Sequence, residues 1–379
     1  MSQHAKTTGC AITGSGVFIP EPVITNEELC EAFNAYVRAE NAKYADEIAR
    51  GEREPLLESS PEFIVKASGI QLRHVWDRTG LLDPERLCPN IPDRRDDEMS
   101  YQCEFAVRAA TGALEMAGRV GEEVDMVILA ASNLQRMYPA IAMEVQDAIG
   151  ARGFAFDMSV GCSSATYPIQ VACDAIRAGN TSCVLLVNPE LCTPHMNWRD
   201  RDSHFIFGDA GTALVIEPVD RAKNPRAFEI LGTRLQSKYS SNIRNNGGYL
   251  NRCDPEHQFD DDKLFYQQGR RVFKDIVPLV PTFIRSHLES LGLDVSQVSR
   301  FWLHQANLNM DRLIATRLLG REPTPQEMPI VLDKYANTAS AGSIIAFHEN
   351  HDDLPSGALG VICSFGAGYS AGNVVVRRR

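Results

Sequence analysis

Long hydrophobic runs are missing from this chain of 379 residues. Nowhere do about 18 apolar residues follow one another, which excludes a membrane-spanning helix. The opening segment, Met1-Ser-Gln-His-Ala-Lys-Thr-Thr-Gly-Cys, has no apolar core of the kind a secretion signal carries. Closely spaced cysteines are missing as well. None of the ten falls in a Cys-x-x-Cys pair, so neither a zinc cluster nor a disulfide framework is predicted. They read as reduced thiols of a large cytoplasmic protein. Excess positive charge is also absent. A net charge of −11 argues against non-specific nucleic-acid binding, while a local basic patch for an acidic partner stays open. What is present is an ordinary globular composition, 44% apolar and 23% charged, in a chain too long for one hydrophobic core.

One cysteine stands apart by its setting. Cys162 lies in Asp157-Met-Ser-Val-Gly-Cys-Ser-Ser-Ala-Thr-Tyr-Pro, between an apolar stretch and an amphipathic one. Before it, Gly153-Phe-Ala-Phe-Asp-Met-Ser-Val reads as a buried strand. After it, Ile169, Val171, Ala172, Ala175 and Ile176 recur at helical spacing until Gly179. A thiol on such a turn faces helix N–H groups, which favour the thiolate by up to about 2 kcal/mol. That brings its pKa to near 7, and a basic partner is still needed. The turn by itself leaves open a nucleophile or a small buried hydrophobe. Two further junctions follow downstream. Phe301-Trp-Leu-His reads as a strand ending in His304, with a helix from about Leu308. Tyr335-Ala-Asn-Thr-Ala-Ser-Ala-Gly is a small-residue turn presenting Asn337 before another helix. Each residue taken singly is an ordinary structural histidine or turn asparagine. Three at strand-to-helix junctions match the place where open α/β sheets gather their active sites.

The chain also repeats itself. Without a gap, Ala113–Asn133 aligns with His287–Asn307, matching Leu114 to Leu288, Glu115 to Glu289, Gly118 to Gly292, Val124 to Val298 and Asn133 to Asn307. Each copy reads as a helix, a glycine stop, a short acidic link and a strand. In the continuing register Cys162 falls near Asn337. Two copies of one strand–helix domain are predicted, 1–220 with the cysteine and 221–379 with the histidine and asparagine, and the catalytic groups where they meet. The segment 33–58, charged and Ala-rich, has no mate in the second half and reads as an inserted helical cap. Residues 234–259, rich in Ser, Asn and Gly, read as a loop.

Five motifs in order, Gly161-Cys-Ser-Ser-Ala, Phe207-Gly-Asp-Ala-Gly, Leu303-His-Gln-Ala-Asn, Ala336-Asn-Thr-Ala-Ser and Phe365-Gly-Ala-Gly, resemble the signatures of the 3-oxoacyl-ACP synthase III family of the thiolase superfamily. The resemblance spans nearly the whole chain apart from the insert. It implies an α/β protein with a thiolase-like five-layered αβαβα fold, a homodimer, acting on an acyl-CoA starter and malonyl-ACP in fatty acid biosynthesis. Cys162 would hold the acyl group covalently, with its own amide and that of Ala367 around the oxyanion. His304 and Asn337 would donate N–H groups to the malonyl thioester oxygen as CO2 leaves. No metal or redox cofactor is required. Phe63, Tyr138, Phe207 and Phe365 are expected at the substrate, with Tyr138 reaching into the partner subunit's acyl pocket.

Three positions depart from the family pattern. Where bacterial housekeeping members carry a Trp and an Arg that grip the CoA adenine, this chain has Phe63 and Ala67. Where an Arg helps to dock the carrier protein, it has Asn309. Arg312, Arg317 and Arg321, expected on one helix, are the substitutes. These departures keep two alternatives in view: a specialised starter or acyl-transferring enzyme of a secondary pathway, and a cysteine thioester hydrolase. Asp209 is expected to fix a turn by accepting backbone N–H groups. Gly14-Ser-Gly-Val is expected to be a bend, and His195 and His204 surface or rim residues.

Overall fold

The computed structural model describes residues 8–379. The chain runs β1 (Cys10–Phe18), β2 (Val23–Thr25), α1 (Asn26–Lys43), α2 (Ala45–Ala49), α3 (Pro61–Ser68), β3 (Leu72–His74), α4 (Tyr101–Ala117), β4 (Met126–Ala130), α5 (Ile141–Ala148), β5 (Phe154–Met158), α6 (Tyr167–Arg177), β6 (Val184–Glu190) and β7 (Ala210–Pro218). It continues through β8 (Phe228–Ser240), β9 (Ile243–Arg244), β10 (Tyr266–Gln267), α7 (Gly269–Ser290), β11 (Val298–Leu303), α8 (Leu308–Leu319), α9 (Leu332–Tyr335), α10 (Ala341–Glu349), β12 (Leu359–Gly366) and β13 (Gly368–Arg378).

Nine strands form one sheet in the order β11-β12-β13-β8-β1-β7-β6-β4-β5. Its two sides follow one plan. β1 pairs antiparallel with β7, β7 antiparallel with β6, and β6 parallel with β4; β8, β13, β12 and β11 repeat that sequence of neighbours and senses. A short pairing of Cys10–Ile12 with Phe228–Ile230 joins the two sides. Strands β4, β6, β7 and β12 are buried along their whole length, as a sheet with helices on either side requires. One core lies between the two sides, where Ile169 and Cys173 of α6 and Ile344 and Phe347 of α10 meet strands from both. A second core packs α4 and α5 on the first side, and a third packs α7 and α8 on the second. The layers therefore run helix, sheet, helix, sheet, helix.

The aligned segments fold alike: Gly118 and Gly292 both hold positive φ after their helices, a 3-10 turn follows, and β4 or β11 begins. Other expectations need correction. Gly14 and Gly16 lie inside β1 rather than in a bend, because α4 presses its backbone onto that strand. Residues 234–240 belong to β8, paired with β13 from Arg234 to Ser240. The helix that enters the 33–58 segment already begins at Asn26, where Thr25 and Glu28 form a capping box. Its return is pinned by reciprocal hydrogen bonds of Asn34 with Ser59 and of Asn41 with Leu56. Among the described residues no helix is long and apolar enough to cross a membrane.

Candidate active site

Cys162, His304 and Asn337 all line one apolar-walled cavity of about 460 Å³. Each reaches it from a different junction. Cys162 follows the bridge residue Val160 and opens a 3-10 turn, Ser163–Ala165, that leads into α6. Hydroxyls lock this turn to the second half: Thr166 bonds Ser364 at 2.5 Å, and Ser370 bonds Ser163 at 2.9 Å and the Ala367 carbonyl at 3.0 Å. Gly366 leaves the space the thiol needs, since a Cβ there would stand 2.7 Å from the Cys162 Cβ and 3.0 Å from its Sγ.

His304 ends β11, its N–H donating to the Cys363 carbonyl at 2.8 Å, and its ring meets Phe365 edge-on. Asn337 stands in a turn flanked by Ala336 and Ala339, both with positive φ. Its backbone N–H donates to Ile206 and its carbonyl accepts from Gly208. The Ala339 N–H donates to Asn337 Oδ1 at 2.9 Å, which leaves the Nδ2 donor for the cavity.

Electrostatics correct the expected thiolate. Burial pushes the Cys162 thiol up to about 12, the Glu190 charge adds to that, and the amides of Ala367 and Cys162 itself only partly oppose it. The α-helical turns begin at Tyr167, so the full dipole of α6 does not stand directly behind the sulfur. Burial pushes His304 down to about 4, against the pull of the Ala339 backbone. The resting pair is thus a neutral thiol and a neutral imidazole. The Ala367 and Cys162 amides favour negative charge at Sγ.

Of the expected substrate residues, Phe207 and Phe365 line the cavity. Phe63 sits at its edge, packed on the cavity residue Phe205. Tyr138 does not enter this chain's cavity; it is 85% exposed, and its neighbour Met137 is exposed too. Arg312 and Arg317 are exposed on α8, but Arg321 lies past its end, where Gly320 caps the helix. Arg321 also pairs with both carboxylate oxygens of Glu327. Asp209 accepts the backbone N–H groups of Cys192, Thr193 and Trp76. His204 is buried and stacked on Phe33, not at the surface, because α1 covers it. His195 is half-buried between Asn133 and Phe207.

Three features escaped sequence reasoning. Arg201 lays its guanidinium 4.0 Å over the Phe63 ring, with its Nε held by the Glu58 carbonyl. It was hidden in the charge run Arg199–Asp202. Arg270, Arg271 and Lys274, exposed at the start of α7, stand beside the mouth, where Arg270 lines the cavity. Glu190 is buried at the end of a strand that is otherwise apolar apart from Asn188, a placement that was a legible signal.

Fold and cavity together define a thiolase-like α/β protein that gathers a cysteine, a histidine and an asparagine at one site. A family model described as 3-oxoacyl-[acyl-carrier-protein (ACP)] synthase III matches residues 156–238, and its C-terminal counterpart matches 288–378. A beta-ketodecanoyl-[acyl-carrier-protein] synthase of Pseudomonas aeruginosa is 55% identical over 348 residues, covering 92% of this chain and 99% of the relative. The crystal structure of 3-oxoacyl-[acyl-carrier-protein] synthase III from Aquifex aeolicus superposes with a TM-score of 0.75 at 25% identity, covering 97% and 100%. A priming beta-ketosynthase of a polyketide pathway shares the fold at TM-score 0.77 and 22% identity, covering 99% and 98%. The chain belongs to the 3-oxoacyl-ACP synthase III family and is an acyl-transferring synthase of that type.

Proposed function

We propose that the protein performs a decarboxylative Claisen condensation between an acyl-CoA starter and malonyl-ACP, giving a 3-oxoacyl-ACP. The observation that carries this is the convergence of Cys162, His304 and Asn337 on one apolar cavity, with Asn337 Oδ1 already occupied. Cys162 Sγ attacks the acyl thioester carbonyl, the bond to the CoA sulfur breaks, and the thiol proton leaves with CoA. His304, neutral in the same cavity, is the group to relay that proton. Malonyl-ACP then loses CO2, and the electron pair left behind becomes an enolate held by N–H donors of His304 and Asn337. Its carbon attacks the acyl carbonyl, and the Cys162 sulfur leaves and regains a proton. Each donor to a developing oxyanion contributes about 3–4 kcal/mol. The scheme uses no metal or redox cofactor.

A medium-chain starter of the octanoyl kind fits the name of the Pseudomonas aeruginosa relative, since two added carbons give a 3-oxodecanoyl product. The Arg201–Phe63 pair at the edge supplies a cation and an aromatic face for the CoA base. Arg270, Arg271 and Lys274 supply the positive rim for an acidic carrier protein. A homodimer is supported by β5, an edge strand paired on one side with β4, and by exposed Tyr138, Met137 and Phe154 nearby. The cytoplasm is the compartment that supplies both substrates. A thioester hydrolase is less well supported, because it wants an acid orienting the histidine, and among the described residues no carboxylate hydrogen-bonds His304 Nδ1.

The test separates the half-reactions. Cys162→Ala is expected to gain no acyl mass from any acyl-CoA while keeping malonyl-ACP decarboxylation. Asn337→Ala is expected to acylate normally while decarboxylation falls about a hundredfold or more. Wild-type protein that gains no mass from any acyl-CoA or acyl-ACP would sink the proposal.

A further inference from the structure

Glu190 is a carboxylate 1% exposed at the end of β6, where the strand's other residues are apolar apart from Asn188. Its oxygens accept from two segments of different halves. From the first half come the Ser132 N–H at 2.9 Å and the Ser132 hydroxyl at 2.6 Å, just beyond β4. From the second come the N–H of Ser340 at 3.2 Å and its hydroxyl. Ser340 is the residue that opens α10. Its side chain makes no capping bond within the helix and goes to Glu190 instead, so the carboxylate serves as an anion at that helix start.

The turn so anchored is the one that presents Asn337. Two of its residues, Ala336 at φ 58° and Ala339 at φ 48°, hold the left-handed conformation without being glycine. Such conformations cost on the order of 1–3 kcal/mol each and persist where surroundings over-determine them. Ala339, which orients the Asn337 amide, is bonded to Ser340 in sequence. On its other side Asn337 is tied by its backbone to Ile206 and Gly208. Glu190 is therefore the clamp on the downstream side of the strained turn.

We propose that Glu190 is a positioning residue for the decarboxylation half-reaction: by holding Ser340 to Ser132 it fixes the Asn337 amide where the malonyl enolate forms. This rests on the role given above to Asn337. A carboxylate satisfies two N–H groups and two hydroxyls because it only accepts. An amide in its place turns an NH2 toward N–H donors, so one of the two segments loses its hold. Misplacement of a reacting group by about 1 Å costs up to about a hundredfold.

Glu190→Gln is therefore expected to slow malonyl-ACP decarboxylation about tenfold to a hundredfold, while Cys162 acylation, weighed on the intact protein, does not fall, since a negative charge near its sulfur has been removed. Ser340→Ala, which keeps the backbone N–H, is expected to shift the same ratio in the same direction by less. Equal losses in both half-reactions would assign Glu190 a merely structural part, and unchanged decarboxylation would give it none; either overturns the proposal. Asn337→Ala measured alongside tells the two ideas apart. If it leaves decarboxylation intact, the role of Asn337 itself fails. If it abolishes decarboxylation while Glu190→Gln does not, the clamp alone fails.

Discussion

The two sides of the sheet share one strand order and one set of strand senses, yet their outer helices lie at different heights. On the first side, α4 rests its backbone directly on β1: a Cβ at Gly14 would stand 2.0 Å from the Ala113 carbonyl oxygen, and one at Gly16 2.1 Å from that of Ala109. On the second, α7 meets β8 at Gly232 through side chains, with Leu291 Cδ1 at 2.9 Å and His287 Nε2 at 3.0 Å from the same imagined atom. The closed side is lined by alanines of α4. The open side carries Val272, Phe273 and Ile276 of α7 and Met310 of α8, and these bound the cavity. A duplicated topology thus leaves the choice of face to side-chain size. Small residues seal one copy, and larger ones prop the other apart to admit a ligand.

The largest effect comes from filling the space where the two sides meet. Gly366→Ala puts a methyl group onto the Cys162 side chain, and acylation is expected to fall about a hundredfold to a thousandfold. Its thermal midpoint should fall as well, because the Cys162 Cβ, 2.7 Å from the added atom, is fixed to the backbone and cannot rotate aside. Near-normal mass gain at Cys162 would show that the junction yields more than its geometry suggests.

The state of that thiol gives the next effect. With Cys162 pushed up to about 12 by burial, its thiolate fraction rises about tenfold per pH unit throughout the neutral and mildly alkaline range. Alkylation by iodoacetamide, in a Cys88→Ser and Cys253→Ser background that removes the exposed thiols, is expected to climb from pH 7 to pH 10 without levelling. A plateau near pH 7 would restore the dipole-activated thiolate predicted from the turn.

Much of the site was legible because its chemistry sits in short motifs at element ends. Cys162, His304 and Asn337 each mark a strand-to-helix junction, and Gly118 and Gly292 punctuate the repeat. What stayed hidden depends on distances between segments. The thiol's resistance to ionisation needs its burial and the nearby Glu190, and neither is visible in Gly-Cys-Ser-Ser. Arg201 over Phe63 joins residues far apart in the chain, so a charge run concealed a guanidinium face. Arg321 looked like a continuation of the α8 basic face until Gly320 ended the helix and Glu327 paired with it. The strand at 228–240 was misread in its second part because Ser and Gln at 236–240 look like loop residues. Their pairing with β13 decides otherwise.

The smallest effect tests the comparison itself. Gly16→Ala forces the α4 backbone away from β1, since neither the Ala109 carbonyl nor the Ala113 N–H, 2.6 Å from the added atom, can rotate aside. Overpacking of this kind costs about 1–3 kcal/mol. Gly232→Ala meets the ends of the Leu291 and His287 side chains, which can shift. Its strain is offset by the entropy that alanine removes from the unfolded chain, about 0.4–1 kcal/mol. Denaturation midpoints should therefore drop clearly for Gly16→Ala and move little for Gly232→Ala. Equal drops would mean that α7 is held as tightly as α4, and the cavity would then need another cause than the stand-off of the second copy's outer helix.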